Sequence, residues 1–234
     1  MRRACPRSVL LTLLLSAGAQ GASFQNLNFE AANIITLPGG KFGDVLTEEA
    51  FPGWSVDWVP MGEGDNPDYG ESARWVLYNS TFLSGGSALI MGPHRDDIPE
   101  FGSQDLGTVI EGSYSAALFG ARFRQRGMIP AGVRSIEFDL RGQGISVFAN
   151  GIPLTPVPIG VTGPSGCRFG VDVSQWAGME TELMFSQSID SGLSVLDRIT
   201  LIPEPAGFTS AVGLSILGAG VWLRRRKAPF AVGR

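Results

Sequence analysis

Between residues 22 and 202 no twelve-residue stretch carries a clean helical apolar period; short apolar runs are cut by many of the chain's 32 glycines and 15 prolines. Both residues break helices, so this body can bury apolar surface only through short strands, and it reads as all-β. Residues 134–140 alternate, with Ile136, Phe138 and Leu140 on one face and Ser135, Glu137 and Asp139 on the other, the pattern of a half-buried strand. A strand at 145–149 runs into Asn150-Gly151, which makes a hairpin turn because both residues tolerate positive φ. Further strands are expected at 108–110, 114–119, 169–173, 182–185 and 196–201, and their spacing predicts a two-sheet sandwich.

The ends have a different character. Arg2, Arg3 and Arg7 precede an apolar run at 9–15 broken only by Thr12, and Ala17, Gly18 and Ala19 supply small residues for cleavage. Residues 1–21 therefore read as a secretory signal handled by the secretion machinery and signal peptidase, with an apolar run too short to span a bilayer. Cys5 is discarded with the signal, which leaves Cys167 without an intrachain partner, so stability rests on a packed core and not on disulfides.

Charge is segregated. Eight of the 18 Lys and Arg lie at the two ends, and residues 22–202 hold 10 basic against 21 acidic side chains, a net of −11. Such a surface argues against nucleic acid and anionic membrane as partners, and tolerates cations or neutral glycans.

Residues 207–223 contain no charge, and the basic cluster Arg224, Arg225, Arg226 and Lys227 follows. With Ala206 the run has 18 residues, and at about 1.5 Å per residue it covers roughly 27 Å, close to the hydrocarbon thickness of a bilayer. It reads as one C-terminal transmembrane helix in the inner membrane, stopped by the basic cluster on the cytoplasmic side. Its apolar side chains favour insertion by only roughly 2 to 4 kcal/mol in total, which suits a temporary hold.

Pro203-Glu204-Pro205 stands immediately before this run. The order Pro-Glu-Pro, apolar helix, basic cluster resembles the PEP-CTERM sorting signal of Gram-negative bacteria, over about 25 residues. The resemblance implies that Pro203, Glu204 and Pro205 are recognised and cut by an exosortase, and that the exported part, residues 22–202, ends at the cell surface or in the exopolysaccharide layer. Residues 203–234 would then be the sorting tail.

Within the exported part, Asn28-Phe29-Glu30, Phe51-Pro52-Gly53-Trp54, Asp172-Val173-Ser174 with Ala177-Gly178, and Leu196-Asp197-Arg198-Ile199 resemble the galactose-binding-like jelly rolls of carbohydrate-binding modules. In several of these modules an early Glu and a late Asp hold a structural calcium ion, and Glu30 and Asp197 match those positions. Arg198 stands where the family often has a second acid or an amide.

Little else carries chemistry. His94 is the sole histidine and lies in a turn-rich segment, and no nucleophile elbow, phosphate loop, Cys-x-x-Cys or His-Glu-x-x-His motif occurs. The polar loop 62–70 departs from the EF-hand spacing. Trp54, Trp58, Trp75, Tyr69 and Tyr78 concentrate aromatics in one quarter of the chain, as a core or as a platform on which sugar faces stack. Asp57 and Asp68 flank Trp58 and Tyr69, which marks these two as the expected exposed pair. The sequence as a whole reads as a non-enzymatic, exported envelope protein of the cell surface or exopolysaccharide layer, with glycan binding as one role open to it. A carbohydrate-active hydrolase using two carboxylates and a purely structural matrix protein are the competing readings.

Overall fold

A computed structural model of the chain describes residues 21–35, 43–58, 73–80, 87–93, 109–142, 144–162 and 166–204. The signal at 1–21 save its last residue, the loop 62–70, His94, Pro205 and everything after it lie outside the described residues. No helix among the described residues is long and apolar enough to cross a membrane.

The described residues are mostly β. In chain order the strands are β1 (Gly43–Leu46), β2 (Ser55–Trp58), β3 (Trp75–Tyr78), β4 (Ser87–Met91), β5 (Ser115–Phe119), β6 (Ala121–Met128), β7 (Val133–Gly142), β8 (Ser146–Ala149), β9 (Ile152–Leu154), β10 (Val157–Thr162), β11 (Gly166–Asp172), β12 (Glu180–Ser186) and β13 (Ser194–Pro203). A four-residue helix, α1 (Thr47–Ala50), follows β1. Eight strands form one sheet in the order β1-β3-β4-β5-β13-β7-β11-β10, and five form the other in the order β2-β6-β12-β8-β9. Every pairing is antiparallel except β3 with β4.

The two sheets face each other across one aromatic core. Phe138 of β7 meets Phe185 of β12 edge to face at 5.5 Å, and Phe51 meets Phe123 of β6 at 4.6 Å, all four rings being fully buried. Edge-to-face contact sets the positive rim of one ring on the negative face of the next, and each buried ring contributes about 1.5–3 kcal/mol through lost apolar surface. The sandwich expected from the sequence is present. The Asn150-Gly151 hairpin joins β8 to β9, with φ of +48° and +75° at the two turn residues.

Two sequence expectations need correction. The strand expected at 108–110 does not form over Val109 and Ile110, because Ile110 donates its N–H to the Ser115 hydroxyl at 2.9 Å and the segment crosses the sheet instead of joining it. The strands β1, β2, β3, β4, β6 and β10 have no counterpart in the sequence reading, and β6 is the longest of them. Its inward positions include Gln125 and Gly127, which break the apolar alternation. Gln125 is nonetheless buried, because its amide donates to the carbonyls of Gln25 and Gly53 and accepts from the Gln25 N–H.

A second, smaller apolar cluster lies on the outer face of the large sheet. Leu89, Met91, Ala117 and Val195 are buried there, with Leu77, Val109, Ile110 and Leu193 packed against them. The segment Val109–Tyr114 is thus a strap over one part of the outer face, and what holds it is the first site of interest.

Candidate functional site

The strap is pinned by carboxylates. Asp197 of β13 accepts hydrogen bonds from the Glu111 N–H at 3.1 Å, the Ser115 hydroxyl at 2.6 Å and the Arg198 N–H at 2.6 Å. Glu30 accepts through Oε1 from the Ser113 and Tyr114 N–H groups at 2.9 and 3.0 Å. Between these donors Gly112 takes φ +67°, and a Cβ there would collide with the Glu30 carboxyl. Glycine at 112 takes this φ without strain and leaves room for the Glu30 carboxyl over the strap.

Beneath the strap the sheet carries an ionic network. Asp139 of β7 is directly opposite Asp197, and both are 1% exposed. A bulge after Asp197 leaves Arg198 at φ +52°, and its guanidinium reaches Asp139 at 3.1 Å and Glu111 at 2.5 Å. Arg168 of β11 binds Glu137 at 2.9 Å and stands 3.8 Å from Asp139. Burial pushes the Asp197 carboxyl up to about 6, outweighing its three hydrogen bonds, and the Glu30 charge pushes the same way. Burial also raises Asp139, against the opposing pull of Arg198 and Arg168.

The structure therefore brings Glu30 and Asp197 onto one short strap, although they are far apart in sequence. Calcium binds six to eight oxygens. Here N–H groups donate to both carboxylates, and among the described residues no group of three or more His, Cys, Asp or Glu side chains is placed to hold a metal. In this arrangement the two carboxylates form a clasp that holds the strap through backbone N–H groups and the Ser115 hydroxyl.

The aromatics sort differently from their sequence neighbourhood. Trp54 and Tyr78 are buried in the core. Trp58, at the end of β2, is half-buried, packs against the core and pairs with the buried Ala121. Its neighbour Asp57 is buried in a 2.6 Å ion pair with Arg124 on the opposite side of the strand. Tyr69 lies outside the described residues. Trp75, on β3, is the most exposed described tryptophan, at 51%.

Trp75 stands directly opposite Leu46 of the edge strand β1, and Asp44 is two residues along on the same outward face. Leu46, Asp44 and Trp75 line a groove of about 590 Å³ with Ile35, Val45 and Glu49. The Arg74 guanidinium lies 5.8 Å from the ring centroid of Trp75. Glu49 is held at the rim by α1 and by its carbonyl, which accepts from the Asn33 N–H at 2.9 Å. The signal for Trp75 was present in the alternation of 75–78: Val76 and Tyr78 fill the core, which turns Trp75 and Leu77 outward.

Of the sorting residues, Pro203 is the last residue of β13 and pairs with Val133. Glu204 donates its N–H to the Gly132 carbonyl at 2.7 Å and pairs with Arg134 at 3.0 Å. Pro205, Arg224, Arg225, Arg226 and Lys227 lie outside the described residues. Cys167 is a free, half-buried thiol in β11.

No protein-family model matches the chain, and no curated protein matches it. Among solved structures it is similar to a glycoside hydrolase family 43 arabinoxylan arabinofuranohydrolase from Bacillus subtilis, at 13% identity and a TM-score of 0.34, over 57% of this chain and 26% of that one. It is also similar to the enzymatically active domain of tailspike protein 4 of bacteriophage CBA120, at 11% identity and 0.33, over 65% of this chain and 20% of that one. A third is the family 11 carbohydrate-binding module of a cellulosomal cellulase of Clostridium thermocellum, at 12% identity and 0.28, over 54% of this chain and 87% of that one. The chain spans about a quarter and a fifth of the first two. Similarity at this level carries no argument about ligand or reaction.

Proposed function

We propose that this chain is a non-enzymatic envelope protein whose galactose-binding-like sandwich is exported, held briefly in the inner membrane by its tail, and released to the cell surface or exopolysaccharide layer, where it binds glycan. The observation that carries the reading is the junction at β13. The last described strand ends on Pro203, the first residue of the Pro-Glu-Pro triplet, and the charge-free run of the sequence begins at Ala206, directly after that triplet. On this reading the folded domain runs directly into the membrane handle that the sequence predicts. The signal at residues 1–21 and the segregated charge support export, and an exosortase is the partner this organisation requires.

Replacing Pro203, Glu204 and Pro205 together with alanine tests the sorting step. The full-length form should accumulate in the inner membrane, and processing at the wild-type rate would count against it. The glycan step is tested by retention of the purified chain on immobilised polysaccharides. Turnover of any of those polysaccharides would favour the hydrolase reading instead, while loss of both retention and turnover would leave a structural matrix role.

A further inference from the structure

We infer that the groove beside Trp75 is the glycan site, and that it takes a neutral or amino-bearing sugar and not a uronic acid. The inference rests on the glycan-binding reading above and adds the place and the chemical class. The first support is geometric. Trp75 is half exposed at the open edge of the large sheet, while β4 and β5 on the same face lie under the strap. Leu46 sits directly across from Trp75, and Asp44 is the diagonal neighbour, at the roughly 7–8 Å usual for such pairs. A pyranose ring lying against the indole therefore reaches a carboxylate at its rim. The C–H face of the sugar meets the ring, and its hydroxyls donate to Asp44 on one side and Glu49 on the other.

The second support is charge. Asp44 and Glu49 line the groove, and the described cation at this edge, Arg74, lies over one face of the Trp75 ring, which leaves the other face for the sugar. In a domain of net charge −11 these acids repel a polyuronate and favour hydroxyls or an ammonium group. A volume of about 590 Å³ falls within the range of small-ligand sites, and is small for a protein interface.

The test uses the full chain in detergent, with beads bearing a neutral glucan, a partly deacetylated chitin or polygalacturonate. Wild type is expected to be retained on the neutral or amino-sugar beads and to pass through polygalacturonate. Trp75→Ala should weaken retention at least tenfold with an unchanged melting temperature, Trp75→Phe should keep part of it, and Asp44→Asn should weaken it several-fold. Trp58→Ala separates the two tryptophans, since it should lower the melting temperature and leave retention of the folded protein intact. If Trp75→Ala binds as wild type does, or polygalacturonate is preferred, this site and class are overturned while glycan binding itself stands. If wild type is held by none of the three, both readings fall.

Discussion

Asp197 and Asp44 lie on the same outer face of one sheet, on β13 and on β1 at its edge, and their surroundings differ completely. Asp197 is under a strap, 1% exposed, and every hydrogen bond it makes is to the protein itself. Asp44 is exposed beside a half-exposed tryptophan at an open groove. The difference teaches that an acid near an apolar surface serves the fold where described residues cover it, and on the proposed reading serves a ligand where none of them does. Coverage, not residue type, separates the two ends of this face.

The sharpest way to break the comparison is pH. Asp197 has its folded pKa raised, so the folded chain takes up a proton that the unfolded chain does not. Stability from this group is complete below the ordinary carboxylate value of 3.8, and is lost as pH rises through about 6. Chemical denaturation should therefore give a more stable domain at pH 5 than at pH 7.5, by about 1.4 kcal/mol, since pH 5 lies one unit below the raised value. Asp139 is shifted in the same direction, whereas Asp172 is lowered by the Ser174 N–H and loses its contribution only below this window. Asp197→Asn should flatten most of the difference, and an Asp44→Asn variant should keep it.

Gly112→Ala should have an effect of similar size. Alanine at φ +67° costs about 1–2 kcal/mol before the collision with Glu30 is counted, so urea melts should shift by at least that much. Trp75→Ala, at the open end, should change stability by less than about 0.5 kcal/mol, since it is half exposed. Smallest of all is the effect of chelator: with N–H donors bound to Glu30 Oε1 and to Asp197, the melting temperature should not move when calcium is removed. A fall of several degrees would mean that an ion replaces those donors.

How far the sequence revealed this architecture depends on what each position faces. The strand at 134–140 was legible because Ile136, Phe138 and Leu140 all enter the core and the outward residues are polar. β6 was not, because a buried Gln satisfied by backbone and a Gly packed against Phe24 stand where apolar residues would be expected. The stretch at 108–110 reads as a strand for the opposite reason: Val109 and Ile110 are apolar, but they serve the outer cluster under the strap. Glu30 and Asp197 were legible only through resemblance, since no local pattern links residues so far apart. Trp58 and Trp75 illustrate the limit most clearly. A flanking acid in a strand points to the opposite face, so Asp57 says nothing of the exposure of Trp58, and exposure is decided by which neighbours fill the core.

The division of the outer face is tested most directly by measuring Asp197→Asn and Trp75→Ala side by side, for retention on neutral glycan beads. Asp197→Asn is expected to be retained as wild type is, and Trp75→Ala to pass through. Retention lost in Asp197→Asn but kept in Trp75→Ala would place the ligand at the strap and contradict the account.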